Sequence, residues 1–122
     1  LLGYKSGEDL QREVGNARFT VLSSEWRENM PYSGLESLAA QTPIIGARIG
    51  GIPELVEEGK TGVTFESGNA VDLSNSMLKC AAVSALNYSA MQHSCREYVN
   101  ARCLQNEYAL ALVDLYERVI QR

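Results

Sequence analysis

The sequence predicts an α/β fold: a partial parallel sheet, helices against it, and a helical C-terminal half. Three observations predict it. Short apolar, strand-like runs occupy residues 19–23, 43–47 and 62–65. Helix-forming stretches lie between them, and strands alternating with helices build a parallel sheet with crossover helices. From Asn69 or Ala70 onward, apolar residues recur at helical spacing to the end of the chain.

The elements follow in order. Residues 1–4, Leu-Leu-Gly-Tyr, read as the end of a strand. Ser6 can cap a short helix over residues 7–14, with Glu8 and Asp9 in the first turn where the helix dipole favours anions. Residues 19–23 have the β-branched and aromatic content of a buried strand. A polar loop over residues 24–32 carries Trp26, whose ring reads as packing ahead of stacking on a ligand. Ser33-Gly34-Leu35-Glu36 fits a capping box opening the next helix, whose Leu35, Leu38, Ala39 and Ala40 suit close packing on a sheet. Pro43 is tolerated at the first residue of the second strand. Gly50-Gly51 turns the chain into a short helix with Pro53 near its start. Gly62-Val63-Thr64-Phe65 forms the third strand. In the helical half, Leu73, Met77 and Ala81 form one apolar face. Met91, Cys95, Tyr98 and Val99 form a second. Tyr108, Leu112, Leu115, Tyr116 and Val119 form a third; the Met and Tyr positions read as core.

Composition narrows the function. The chain has 122 residues, enough for one small domain, and 45% hydrophobic with 21% charged residues excludes a disordered chain. A net charge of −4 with scattered Lys and Arg argues against nucleic acid as a partner. No apolar run reaches the roughly 20 residues of a membrane span. Cys80, Cys95 and Cys103 lack metal-ligand spacing and read as reduced thiols of a cytosolic protein. Without an initiator Met, and with so few strands, the chain reads as a piece of a longer protein. Its open sheet edges leave room for a homodimer.

The densest chemistry lies in Glu28-Asn29-Met30-Pro31-Tyr32-Ser33-Gly34-Leu35-Glu36. Two carboxylates bracket a loop and a helix start at the carboxyl end of a parallel strand, where open α/β sheets bind ligands. Helix-start amides can hold an anion, and carboxylates can accept from sugar hydroxyls. By themselves, Glu36 also reads as the capping-box carboxylate and Glu28 as solvated surface. Gly50-Gly51 reads as a turn or as part of a ligand pocket. His93 reads as a surface or partly buried helix residue, and Arg48, just after a strand, as a solvated charge ahead of one reaching the cleft.

Taken together these residues resemble the C-terminal, donor-binding half of a family 4 (group 1) glycosyltransferase of the GT-B fold. The resemblance rests on Leu2-Gly3-Tyr4, on Val21-Leu22 before Ser23-Ser24-Glu25-Trp26, and on Glu28-x7-Glu36. It continues through Leu35-Glu36-Ser37-Leu38-Ala39, Thr42-Pro43-Ile44-Ile45, Gly50-Gly51-Ile52-Pro53-Glu54-Leu55-Val56, Gly59-x-Thr61-Gly62 and Phe65-Glu66. It implies a Rossmann-like three-layer αβα lobe over residues 1–122, with the first strands of this lobe and an N-terminal acceptor lobe lying upstream.

The implied activity is retaining transfer of a hexose from a nucleotide diphosphate sugar to a glycan or lipid-linked acceptor, without a cofactor or metal. Glu28 is then the catalytic carboxylate beside the donor hexose. Glu36 accepts from the ribose hydroxyls, the backbone of Ser33, Gly34 and Leu35 meets the diphosphate, and Asn29 joins the donor-binding set. The family commonly has Pro-Ser where this chain has Ser23-Ser24, an aromatic at Arg27, and Gly at Gln41. Its diphosphate-binding Arg and Lys lie upstream, so the piece alone is expected to be inactive. The location implied is cytoplasmic, with peripheral membrane attachment left open. A non-catalytic nucleotide- or sugar-binding module, or an interaction piece docking through residues 106–122, are the alternatives.

Overall fold

A computed structural model describes residues 2–102 and 105–120. The order is α1 (Gly7–Asn16), β1 (Thr20–Leu22), α2 (Tyr32–Ala39), β2 (Ile44–Ala47), a 3-10 turn (Ile52–Leu55), β3 (Gly62–Phe65), α3 (Ala70–Ala81), α4 (Ala85–Arg102) and α5 (Gln105–Ile120). The sheet is parallel in the order β1-β2-β3. Thr20 lies opposite Ile44, and Ile44 opposite Gly62.

The central strand explains the three layers. Successive side chains of a strand point to opposite faces, and β2 is buried along its whole length. Ile44 joins Leu38, Leu55, Val56, Cys95 and Tyr98 on the face covered by α2 and α4. Ile45 and Ala47 join Phe65 and Cys80 on the face covered by α3. Each cluster removes apolar surface from water at about 25 cal/mol per Å². Buried hydroxyls tie the layers together: Ser37 Oγ donates to the Thr42 carbonyl at 2.7 Å, and Thr42 Oγ1 donates to the Val14 carbonyl at 2.9 Å.

Several expectations are corrected. Residues 2–6 form no strand and pair with none among the described residues; Leu2 and Tyr4 stand in solvent. Leu1 lies outside the described residues. Ser6 occupies the N-cap of α1 but its side chain makes no cap bond. β1 is half-buried rather than buried, because it is an edge strand and Val21 points outward.

On α3 the packed positions are Ser76 and Cys80, with Leu73 partly buried, while Met77 is exposed. The sheet accepts small side chains there, so the helix turns that stripe inward. Met91, Cys95 and Tyr98 are buried as expected. Tyr108, Leu115, Tyr116 and Val119 on α5 are exposed, not core. The helical half opens where expected, and Asn69 caps α3: its Oδ1 accepts from the amides of Val71 and Asp72. Cys80 and Cys95 are free and buried, while Cys103 lies outside the described residues.

Candidate functional site

The loop after β1, the start of α2 and the turn after β2 meet at the carboxyl edge of the sheet. Pro31, rather than Ser33, is the N-cap of α2, so the capping box does not form. The backbone of Pro31, with ψ 122°, breaks the helix one residue before Tyr32. This places Ser33 on the first turn and Glu36 too far along for a capping-box reach.

The consequence for Glu36 is chemical. Its carboxylate has no hydrogen-bond or ion-pair partner among the described residues and is exposed. It lines a groove of about 110 Å³ between α1 and α2, with Leu10, Gln11 and Val14 on the opposite wall. A carboxylate held without a partner retains its acceptor capacity for a ligand.

At the helix start, the Gly34 and Leu35 amides donate to the Pro31 carbonyl at 3.0 and 3.4 Å. The amides left without an acceptor among the described residues are those of Tyr32 and Ser33. Gly34 is buried; a Cβ there would lie 2.5 Å from Leu55 Cδ1 and 3.1 Å from Leu22 Cδ1. Leu35 packs partly against the same cluster. Gly34 thus brings the helix start down onto the sheet, and Tyr32 and Ser33 carry the open amides.

Glu28 is exposed on the loop and is not part of the Glu36 groove. The Ser24 hydroxyl donates to Glu28 Oε1 at 2.9 Å. Ser67, after β3, donates through its hydroxyl to the Ser24 carbonyl at 3.2 Å. This linkage of three residues, which passes through the Ser24 backbone carbonyl, was not read from the sequence; only the four-residue spacing of Ser24 and Glu28 hinted at its first bond, and a loop spacing alone says nothing of contact.

The glycine turn fits beneath the same loop. Gly51 N–H donates to the Glu28 carbonyl at 2.7 Å. A Cβ on Gly51 would fall 1.6 Å from the Asn29 carbonyl oxygen, and one on Gly50 2.4 Å from that of Glu28. Asn29 is therefore placed by its backbone against this turn, and its side chain is exposed.

Trp26 is 82% exposed, so the packing reading is overturned: the loop carries it away from the sheet instead of over it. Arg48 is paired with Asp72 at 3.3 Å rather than simply solvated. His93 is at the helix surface as read, near Glu97 at 3.4 Å. Among the described residues, no three His, Cys, Asp or Glu side chains gather as a metal site. Among the described residues, no helix is long and apolar enough to cross a membrane.

A parallel αβα sandwich with its candidate site at the carboxyl edge defines a Rossmann-like lobe of the GT-B type. Residues 1–102 match the family described as glycosyl transferases group 1. The chain belongs to that family. It is 33% identical over 73 residues to the sulfoquinovosyl transferase SQD2 of Arabidopsis thaliana, covering 57% of this chain and 14% of the relative. The chain spans less than a quarter of the length of the curated relatives it matches.

The fold superposes on a glycosyltransferase from Rickettsia africae with a TM-score of 0.84 at 19% identity, covering 98% of this chain and 32% of that one. It also superposes on HepE of Anabaena, solved with UDP-glucose, with a TM-score of 0.77 at 20% identity over 93% of this chain and 31% of that one.

Proposed function

We propose that the chain is the donor-binding part of a retaining glycosyltransferase, which moves a hexose from a nucleotide diphosphate sugar to a glycan or lipid-linked acceptor. The observation that carries this is the unpartnered Glu36 carboxylate, exposed on the same helix turn as the open amides of Tyr32 and Ser33. Family membership supports the reaction class, and UDP and UDP-glucose, present in the HepE structures, are the natural probes.

In this reading Glu36 accepts from the ribose hydroxyls, each charged hydrogen bond contributing about 1.5–3 kcal/mol. The Tyr32 and Ser33 amides, with Gly34 and Leu35 shaping the turn, receive the diphosphate, and the helix end adds about 0.3–1 kcal/mol. Glu28, with Asn29 beside it, orients the hexose and stabilises positive charge at its anomeric carbon. As the anomeric C–O bond breaks, its electron pair passes to the diphosphate, the acceptor hydroxyl oxygen forms the new bond to the anomeric carbon, and its proton goes to the diphosphate or to solvent. Amides already aimed at the diphosphate favour the transition state. The acceptor lobe and the cations that neutralise the diphosphate come from the rest of the protein, and no metal or cofactor is required.

The test is Glu36→Ala and Glu28→Ala in the complete protein. Glu36→Ala weakens UDP binding by about 10-fold or more. Glu28→Ala lowers turnover of UDP-glucose with UDP affinity kept. Wild-type affinity and turnover in both variants refute the proposal.

A further inference from the structure

The turn Gly50-Gly51 is moulded to the backbone that carries Glu28. The contact is backbone to backbone, so no side-chain adjustment relieves a change there. Gly51 is buried and its amide is spent on the Glu28 carbonyl at 2.7 Å. Its α-carbon leaves no space: an added methyl would stand 1.6 Å from the Asn29 oxygen and 2.6 Å from the Asn29 carbonyl carbon. Gly50, at φ 55°, faces the Glu28 nitrogen and oxygen and the Arg27 α-carbon in the same way.

The turn is itself anchored. Ile52 begins the 3-10 segment and is buried, and Arg48 N–H donates to the Phe65 carbonyl at 2.8 Å. The turn is thus the firm partner and the exposed loop the placed one.

The geometry points to Gly51, with Gly50, as a positioning residue for Glu28: it sets where the carboxylate stands without itself meeting the sugar. This rests on the reading of Glu28 as the residue beside the donor hexose. A general structural role predicts loss of every ligand contact. A positioning role predicts loss at the hexose end alone, because Glu36 and the Ser33 amide lie on α2, outside this contact.

The test uses the complete protein with UDP and UDP-glucose. Without acceptor, slow release of UDP from UDP-glucose reports the chemistry: the anomeric C–O bond to UDP breaks, a C–O bond to water forms, and the water proton goes to UDP or solvent. Gly51→Ala should leave the Kd for UDP within about 3-fold and lower turnover about 100-fold, the loss expected for a displacement near 1 Å. The double variant Gly51→Ala, Glu28→Ala should fall no further than Glu28→Ala, because both act through one carboxylate. Multiplying losses, or a UDP affinity that falls as far as turnover, would overturn the inference. Wild-type turnover in Glu28→Ala removes the underlying reading instead and is seen separately.

Should Gly51→Ala not fold, hydrogen exchange on the wild type decides. UDP-glucose should slow exchange of the Gly51 amide more than UDP does; equal protection by the two ligands overturns the assignment.

Discussion

The Ser24 hydroxyl donates to Glu28 Oε1 at 2.9 Å, so one oxygen of that carboxylate is already oriented while the loop is exposed. A charged hydrogen bond of this kind contributes about 1.5–3 kcal/mol; solvent exposure reduces that. On the proposed reading of Glu28, Ser24→Ala should lower turnover of UDP-glucose by about 5-fold in the complete protein and leave UDP affinity alone. Steady-state kinetics beside UDP calorimetry check this, and a larger loss in Ser24→Ala than in Glu28→Ala would contradict the geometry.

Gln41 follows α2 with φ 60°, a left-handed conformation in which a Cβ is crowded. Glycine carries no such penalty. Gln41→Gly should therefore stabilise the fold by about 1 kcal/mol, read as a higher midpoint in denaturant at unchanged slope.

Gly34 and Gly62, both buried, should differ in what they tolerate. A methyl on Gly34 meets Leu55 Cδ1, a buried side-chain end, and Gly34→Ala should cost about 1–3 kcal/mol as overpacking. A methyl on Gly62 would lie 1.9 Å from the Ile44 carbonyl oxygen inside the sheet. Gly62→Ala should cost about 4 kcal/mol or more, the β2–β3 pairing being forced apart. Unfolding curves of the two variants rank them.

Burial pushes the Cys95 thiol up to about 12 from 9.0, and burial raises Cys80 and Tyr88 as well. The folded state holds these protons more tightly than the unfolded chain does. Their contribution to stability is therefore complete below pH 9 and is lost as pH rises from 9 toward 12. Chemical unfolding at pH 7, 9 and 10.5 should show the fall beginning only above 9, and Cys95→Ala should make it shallower.

Much of the fold was legible because its signals are local. Ile44-Ile45 is apolar on both faces, which marks a central parallel strand, and helical periodicity from Asn69 or Ala70 onward marks where α3 begins. The misreadings have tertiary causes. Ser33-Gly34-Leu35-Glu36 matches a capping box letter by letter, but Pro31 ends the preceding backbone and takes the cap itself. Met77 is more apolar than Ser76, yet Ser76 is the residue the sheet accepts.

At the candidate site, Glu28 and Glu36 were visible through their spacing and family pattern. Ser24 gained its place from the folding of its own loop, and Gly51 from the turn after β2 lying against that loop. Trp26 was misread because a large apolar ring predicts burial, and this loop carries it outward.

The helix α1 buries none of its own side chains, yet it forms one wall of the Glu36 groove. A wall fastened through the Thr42 hydroxyl and the Val14 carbonyl, rather than through a hydrophobic face, opens at low cost. Nicking by a protease would begin there, and a nucleotide seated against Glu36 would act as a clasp, closing that weak flank and shielding it from digestion.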